Sequence, residues 1–86
     1  MPEISRFYGI LIQMHPGDHP PPQFHARYAE YRAVISISDC TVVAGSLPPR
    51  ALRMVTEWAD AHRPELEHDW RLAIQELPLD RIEPLR

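Results

Sequence analysis

Residues 24 to 37, Phe24-His25-Ala26-Arg27-Tyr28-Ala29-Glu30-Tyr31-Arg32-Ala33-Val34-Ile35-Ser36-Ile37, decide the fold. Phe24, Ala26 and Tyr28 alternate with His25 and Arg27. That two-residue period belongs to a strand with one apolar and one polar face. Ala29-Glu30 reads as a tight turn, although it lacks the Asn-Gly or Gly-Gly pair that marks the commonest hairpins. Residues 31 to 37 then supply another strand, β-branched at Val34, Ile35 and Ile37.

Upstream, residues 4 to 14 read as one strand, with Tyr8, Ile10, Ile12 and Met14 on its apolar face and Gly9 marking a bulge or a close backbone approach. His15-Pro16-Gly17-Asp18 breaks the run. Downstream, Ser38-Asp39 turns the chain and Thr41 to Ala44 form a short fourth strand. Gly45-Ser46-Leu47-Pro48-Pro49 leads into helices, with Ser46 as the expected N-cap and proline in the first turn. Leu52, Val55, Trp58, Ala59 and His62 keep helical spacing, Pro64 separates two helices, and Leu66, Trp70, Ala73 and Leu77 form the second stripe. The tail at 81 to 85 adds an edge strand or wraps. Strands followed by helices imply an α+β fold: a mostly antiparallel four-stranded sheet followed by two helices packed on one face, β-β-β-β-α-α. The expected organisation is a single domain over 1–86, with a β half at 3–45, a helical half at 46–78 and a tail at 79–86.

Composition narrows the function classes. A hydrophobic fraction of 44% is that of a globular chain and argues against disorder throughout. The single Cys40 excludes a disulfide framework within the chain and a cysteine-based zinc cluster. No apolar run is long enough to span a bilayer, and the N-terminus lacks a signal-peptide layout, so the expected location is the cytoplasm with no membrane association. A net charge of -3 argues against phosphate binding over the whole surface. It leaves room for a local basic patch at Arg27, Arg32, Arg50 and Arg53.

The chemistry-bearing segment is Asp18-His19-Pro20-Pro21-Pro22-Gln23-Phe24-His25-Ala26-Arg27-Tyr28. Its prolines hold φ near one value and fix the flanks relative to each other. Three readings share these residues. As a metal site, His15, Asp18, His19 and His25 offer nitrogen and oxygen ligands for zinc, though not at a known zinc spacing. As a metal-independent ribonuclease, His19 and His25 would act as base and acid, with Arg27 holding the phosphate. As a binding module, the sheet face left bare by the helices presents His25, Arg27, Arg32 and Ser36 to an acidic protein or to a nucleic acid. The binding reading needs the fewest special assumptions. Trp58 and Trp70 read as core, His62 as a helix-end cation and His68 as a solvated side chain. The bland account of Arg50 is surface solubility.

Arg-Phe-Tyr-Gly-Ile near the start, Asp-His-x-Pro-Pro-x-Phe-His-Ala-x-Tyr, Ala-Val-Ile-Ser-Ile, Gly-Ser-Leu-Pro-Pro-Arg, Trp-Ala-x-x-His-Arg-x-Glu-Leu and the tail Ile-Glu-Pro-Leu together resemble the small prokaryotic "domain of unknown function 4160" family. The resemblance runs from Glu3 to Leu85. It implies a gene neighbour of the "domain of unknown function 2442" family, and hence a toxin-antitoxin-like or regulatory two-gene system. The family motif carries Pro-His-x-His where this chain has Gln23, a poor metal ligand that cannot serve as a general acid or base near neutral pH. His19 and His25 keep the matching positions, and Arg50 falls in a matching motif. The expected function is therefore an interaction module for a protein partner. Its site would consist of Asp18, Gln23, His25, Arg27, Arg32 and Arg50. The alternatives are a ribonuclease toxin using His19, His25 and Arg27, or a zinc-binding domain. No other cofactor is implied, and a homodimer is a reasonable expectation for a chain of this size.

Overall fold

The computed structural model describes residues 2–86. The chain builds β1 (Glu3–Phe7), β2 (Ile10–Gln13), β3 (Gln23–Tyr28), β4 (Tyr31–Ser36) and β5 (Val42–Ser46), then α1 (Pro49–Ala61) and α2 (Arg63–Ile74). The strands form one antiparallel meander in the order β1-β2-β3-β4-β5. The sheet thus has five strands rather than four, because residues 4 to 14 are a hairpin. Tyr8 and Gly9 both take positive φ, 48° and 80°. Two consecutive positive φ values are the signature of the tight turn whose twist matches flanking strands. Gly9 is therefore a turn residue and not a bulge. Tyr8 leaves the apolar face and is 61% exposed. The bulge lies instead within β1, between Glu3 and Ser5.

The β3–β4 hairpin matches the sequence expectation, with Tyr28 opposite Tyr31 across Ala29-Glu30. Its register sorts the side chains into two faces. Ile12, Ala26 and Ala33 align across the strands and are buried, as are Phe24 and Ile35. On the other face Gln13, His25, Val34 and Ala44 form one cross-strand row. Leu11, Arg27, Arg32 and Ser46 form the next.

The helices cover the first face. Ala51, Val55, Trp58 and Ala59 of α1, with Leu66, Trp70 and Ala73 of α2, join the strand residues in one core cluster. Trp58 is fully buried, with its ring centroid 5.4 Å from that of Phe7 and 5.9 Å from that of Phe24. Ser46 ends β5 and is not a cap; Pro48 holds the N-cap position without a side-chain bond, and Pro49 opens the helix. A single residue, His62, separates the helices, and Pro64 falls in the first turn of α2, where a missing N–H costs nothing.

The tail wraps without forming a strand. Ile82 N donates to Ile4 O at 2.7 Å, and Trp58 Nε1 donates to Glu83 O at 2.7 Å. Asp69, buried in α2, accepts from Asp80 N at 2.9 Å. One edge of the sheet, β1, is thereby covered. No helix among the described residues is long and apolar enough to cross a membrane.

Leu77, expected on the α2 stripe, lies beyond the helix in its C-terminal motif. Glu76 N donates to Ala73 O and Leu77 N to Leu72 O, the paired bonds of a Schellman cap. Glu76 occupies its left-handed position with φ 56°. Glycine suits that position, and a negative side chain at a helix C-terminus opposes the helix dipole. Glu76→Gly is expected to stabilise the fold by about 0.5–1 kcal/mol. A rise of a few degrees in melting temperature checks it.

Candidate functional site

The site grows from the end of β2. Gln13 pairs with His25 on the open face, and the chain then leaves the sheet through Met14-His15-Pro16-Gly17-Asp18. Asp18 N donates to His15 O at 3.3 Å, and Gly17 N donates to Ala73 O at 3.4 Å, which fastens the loop to the end of α2. Gly17 takes φ 77°, so the loop can fold back on itself. The fold-back brings Asp18 Oδ2 to 3.0 Å from His25 Nε2. A carboxylate oxygen accepts, so the bonded ring nitrogen carries the hydrogen. The His15 ring lies parallel on the His25 ring, with centroids 3.6 Å apart and planes within 8°.

His15 Nε2 is buried and has no hydrogen-bond partner. Burial pushes the His15 pKa below its ordinary value of 6.5; the nearby His25 adds to that push and Asp18 opposes it. His15 is thus held neutral in the fold. Its share of stability is present above 6.5 and is lost as pH falls through the depressed value. His15→Phe keeps a flat ring in the stack and removes the titration. The wild type is expected to lose more stability than this variant between about pH 7.5 and about pH 5, read as urea midpoints.

His15, Asp18 and His25 each offer an ion one ligand atom, and the three atoms lie within 4.8 Å of one another. The parallel stack is nevertheless not a coordination geometry. The lone pair of an imidazole lies in its ring plane, and one ion cannot sit in the planes of two stacked rings. Holding an ion there requires one ring to turn.

Beside the stack lies an open groove of about 260 Å³ on the bare sheet face. Gln13, His25, Arg27, Arg32, Val34 and Ala44 line it. Arg27 and Arg32 are directly opposite each other across β3 and β4. Like charges so placed destabilise a sheet. Neither has a carboxylate within salt-bridge distance among the described residues, a state shared with Arg50, Arg53 and Arg71, whereas Arg6, Arg63, Arg81 and Arg86 are paired. What sets Arg27 and Arg32 apart is their direct opposition in one groove, in a chain whose net charge is -3.

The other expected residues divide. Asp18 and His25 meet, but His19 is exposed on the proline loop; only its carbonyl is engaged, by Gln23 Nε2 at 3.5 Å. Gln23 opens β3 opposite Ser36. Ser36, expected on the open surface, is 6% exposed and bonds to Ser38. Arg50 lines a different groove, with Tyr8, Tyr28, Pro48 and Met54. His15, expected among the metal ligands, instead stacks on His25, a contact no motif in the sequence announces. Strand parity carried a signal, since Gln13 and His15 are two residues apart and Gln13 pairs with His25.

The family model described as "Domain of unknown function (DUF4160)" matches residues 9–71. That span holds the whole stack and groove and leaves out β1 and the tail. No curated protein and no solved structure matches the chain.

Proposed function

We propose that this chain, which belongs to the domain of unknown function 4160 family, is an interaction module that holds an acidic protein partner on its open sheet face. The carrying observation is the Arg27–Arg32 pair, opposed across two strands without a carboxylate and lining a groove. A cross-strand pair of like charges lowers the stability of the free fold, and an incoming carboxylate relieves that cost. The helices cover the other face, so the open face is where a partner docks. A role in the cytoplasm, within a toxin-antitoxin-like or regulatory two-gene system, belongs to the same reading. The arrangement gives less support to the ribonuclease and zinc readings. His19 is exposed and lies outside the cluster of His15, Asp18 and His25, and the Nε2 of His15 is buried without a partner although the residue borders the groove.

The test is a titration with a labelled peptide alternating glutamate and valine, beside its lysine counterpart. The glutamate peptide is expected to bind and to weaken as salt rises; no binding, or equal binding of both peptides, would sink the reading. Inducing the chain alone in a bacterial host is expected to leave growth unchanged. Arrest by the wild type but not by His25→Ala would move the assignment to a catalyst.

A further inference from the structure

We infer that the partner adds a strand to the free edge of β5, which rests on the reading just given and specifies its mode. The two edges of the sheet are treated differently. Beside β1 runs the tail, with Ile82 N on Ile4 O at 2.7 Å and Arg81 Nη2 on Glu3 Oε2 at 3.0 Å. Among the described residues, no loop or tail backbone bonds to Val42–Ser46. The edge strand Val42-Val43-Ala44-Gly45-Ser46 carries no charged residue and no proline, two of the devices by which exposed edges repel other strands, though it does carry a third, a bulge at Val43 between the Val42–Ile35 and Ala44–Val34 pairs. Val43 is 51% exposed there.

The side chains next to this edge select the occupant. On the open face the paired residues of β5 are Ala44 and Ser46, opposite Val34 and Arg32. An added strand would lie about 10 Å from β4, two strand spacings, with nothing larger than a serine between. Its carboxylates in the row of Ser46 would reach over that serine to Arg32, with the charge of Arg27 one strand further, about 14 Å from the added backbone. Main-chain bonds would supply affinity, and the acidic row would supply register and specificity. A second copy of this chain fits poorly, because β5 carries no carboxylate to set against Arg32. A nucleic acid would use the arginines but not the backbone of the edge, and would meet a chain of net charge -3.

The test uses the whole chain and the glutamate–valine peptide, prepared with N-methyl groups on either the glutamate or the valine amides. Successive residues of a strand point their amides to opposite edges, so each pattern blocks one edge. One methylated peptide is expected to lose more than tenfold in affinity while the other binds as before. Amide exchange at Val42–Ser46 is expected to slow when the unmodified peptide binds. If both methylated peptides bind like the parent while Arg27→Glu abolishes binding, the edge proposal falls and the charged face stands. If both lose affinity, slowed exchange at β5 supports the edge and unchanged exchange overturns it. Failure of the unmodified peptide to bind ends both readings. Displacement of the bound peptide by a single-stranded oligonucleotide of equal charge, without slowed exchange at β5, overturns the edge in favour of a nucleic acid. A dimer formed through β5 in the absence of peptide overturns it in favour of a second copy.

Discussion

Gly45→Ala is expected to destabilise the domain by about 3 kcal/mol, a large part of the roughly 4–13 kcal/mol that a chain of this size has in total. Two costs coincide at this position. Gly45 takes φ 74°, where a side chain is strained. A Cβ there would also overlap the backbone carbonyl of Arg32, so a strand and not a flexible side chain has to move. Gly17→Ala separates the two costs. Gly17 has φ 77°, but nothing lies within 4 Å of its would-be Cβ, so that variant is expected to lose only the strain, about 1 kcal/mol. Urea midpoints of the two variants decide the matter: equal losses would show that β4 and β5 yield freely at Gly45. The contact matters beyond stability, because it sets the backbone of β5 against Arg32 and thereby fixes the edge strand beside the basic groove.

Alternation and β-branching were enough to find β3, β4 and their turn, because both strands bury one face and the register follows from the pattern. The apolar helix stripes and Pro64 located α1 and α2 for the same reason. The first hairpin was not legible. Tyr8-Gly9 has no Asn-Gly or Asp-Gly signature, and Tyr8 continues the alternation of Ile10 and Ile12, so the period alone runs straight through a turn that backbone conformation enforces. Ser46 misled in a similar way: it is a good cap by residue type, but the last cross-strand pair, with Arg32, claims it for the sheet. At the site, the stiff segment put Asp18 and His25 in one candidate set, but their contact needs the fold-back at Gly17. The exclusion of His19 was not legible either, since a loop residue's direction depends on how Gly17 and the end of α2 fasten the loop. The opposition of Arg27 and Arg32 was implicit in the two-residue turn at Ala29-Glu30. It needed the register to become a statement about charge.

That opposition makes a second large effect predictable, and one with opposite signs in two measurements. Arg27→Glu places a carboxylate across from Arg32. The like-charge pair becomes an ion pair, and the fold is expected to gain about 0.2–1 kcal/mol. The same substitution supplies internally the carboxylate that the groove takes from its partner. The affinity for the glutamate–valine peptide is therefore expected to fall by about 10- to 100-fold, about 1.4–2.7 kcal/mol. Arg32→Glu should behave alike, and more strongly if the peptide sits at β5, because Arg32 is the nearer of the two. The double variant Arg27→Glu/Arg32→Glu restores like charges with the sign reversed. It should lose the stability gain and prefer the lysine peptide. A variant that gains stability and keeps its affinity would show that the two arginines are an incidental surface pair. One that loses both would place them in the architecture of the sheet. Only a gain in melting temperature together with a loss of binding marks a charge pair held apart for a partner, the pattern expected where a site is maintained at the expense of the fold.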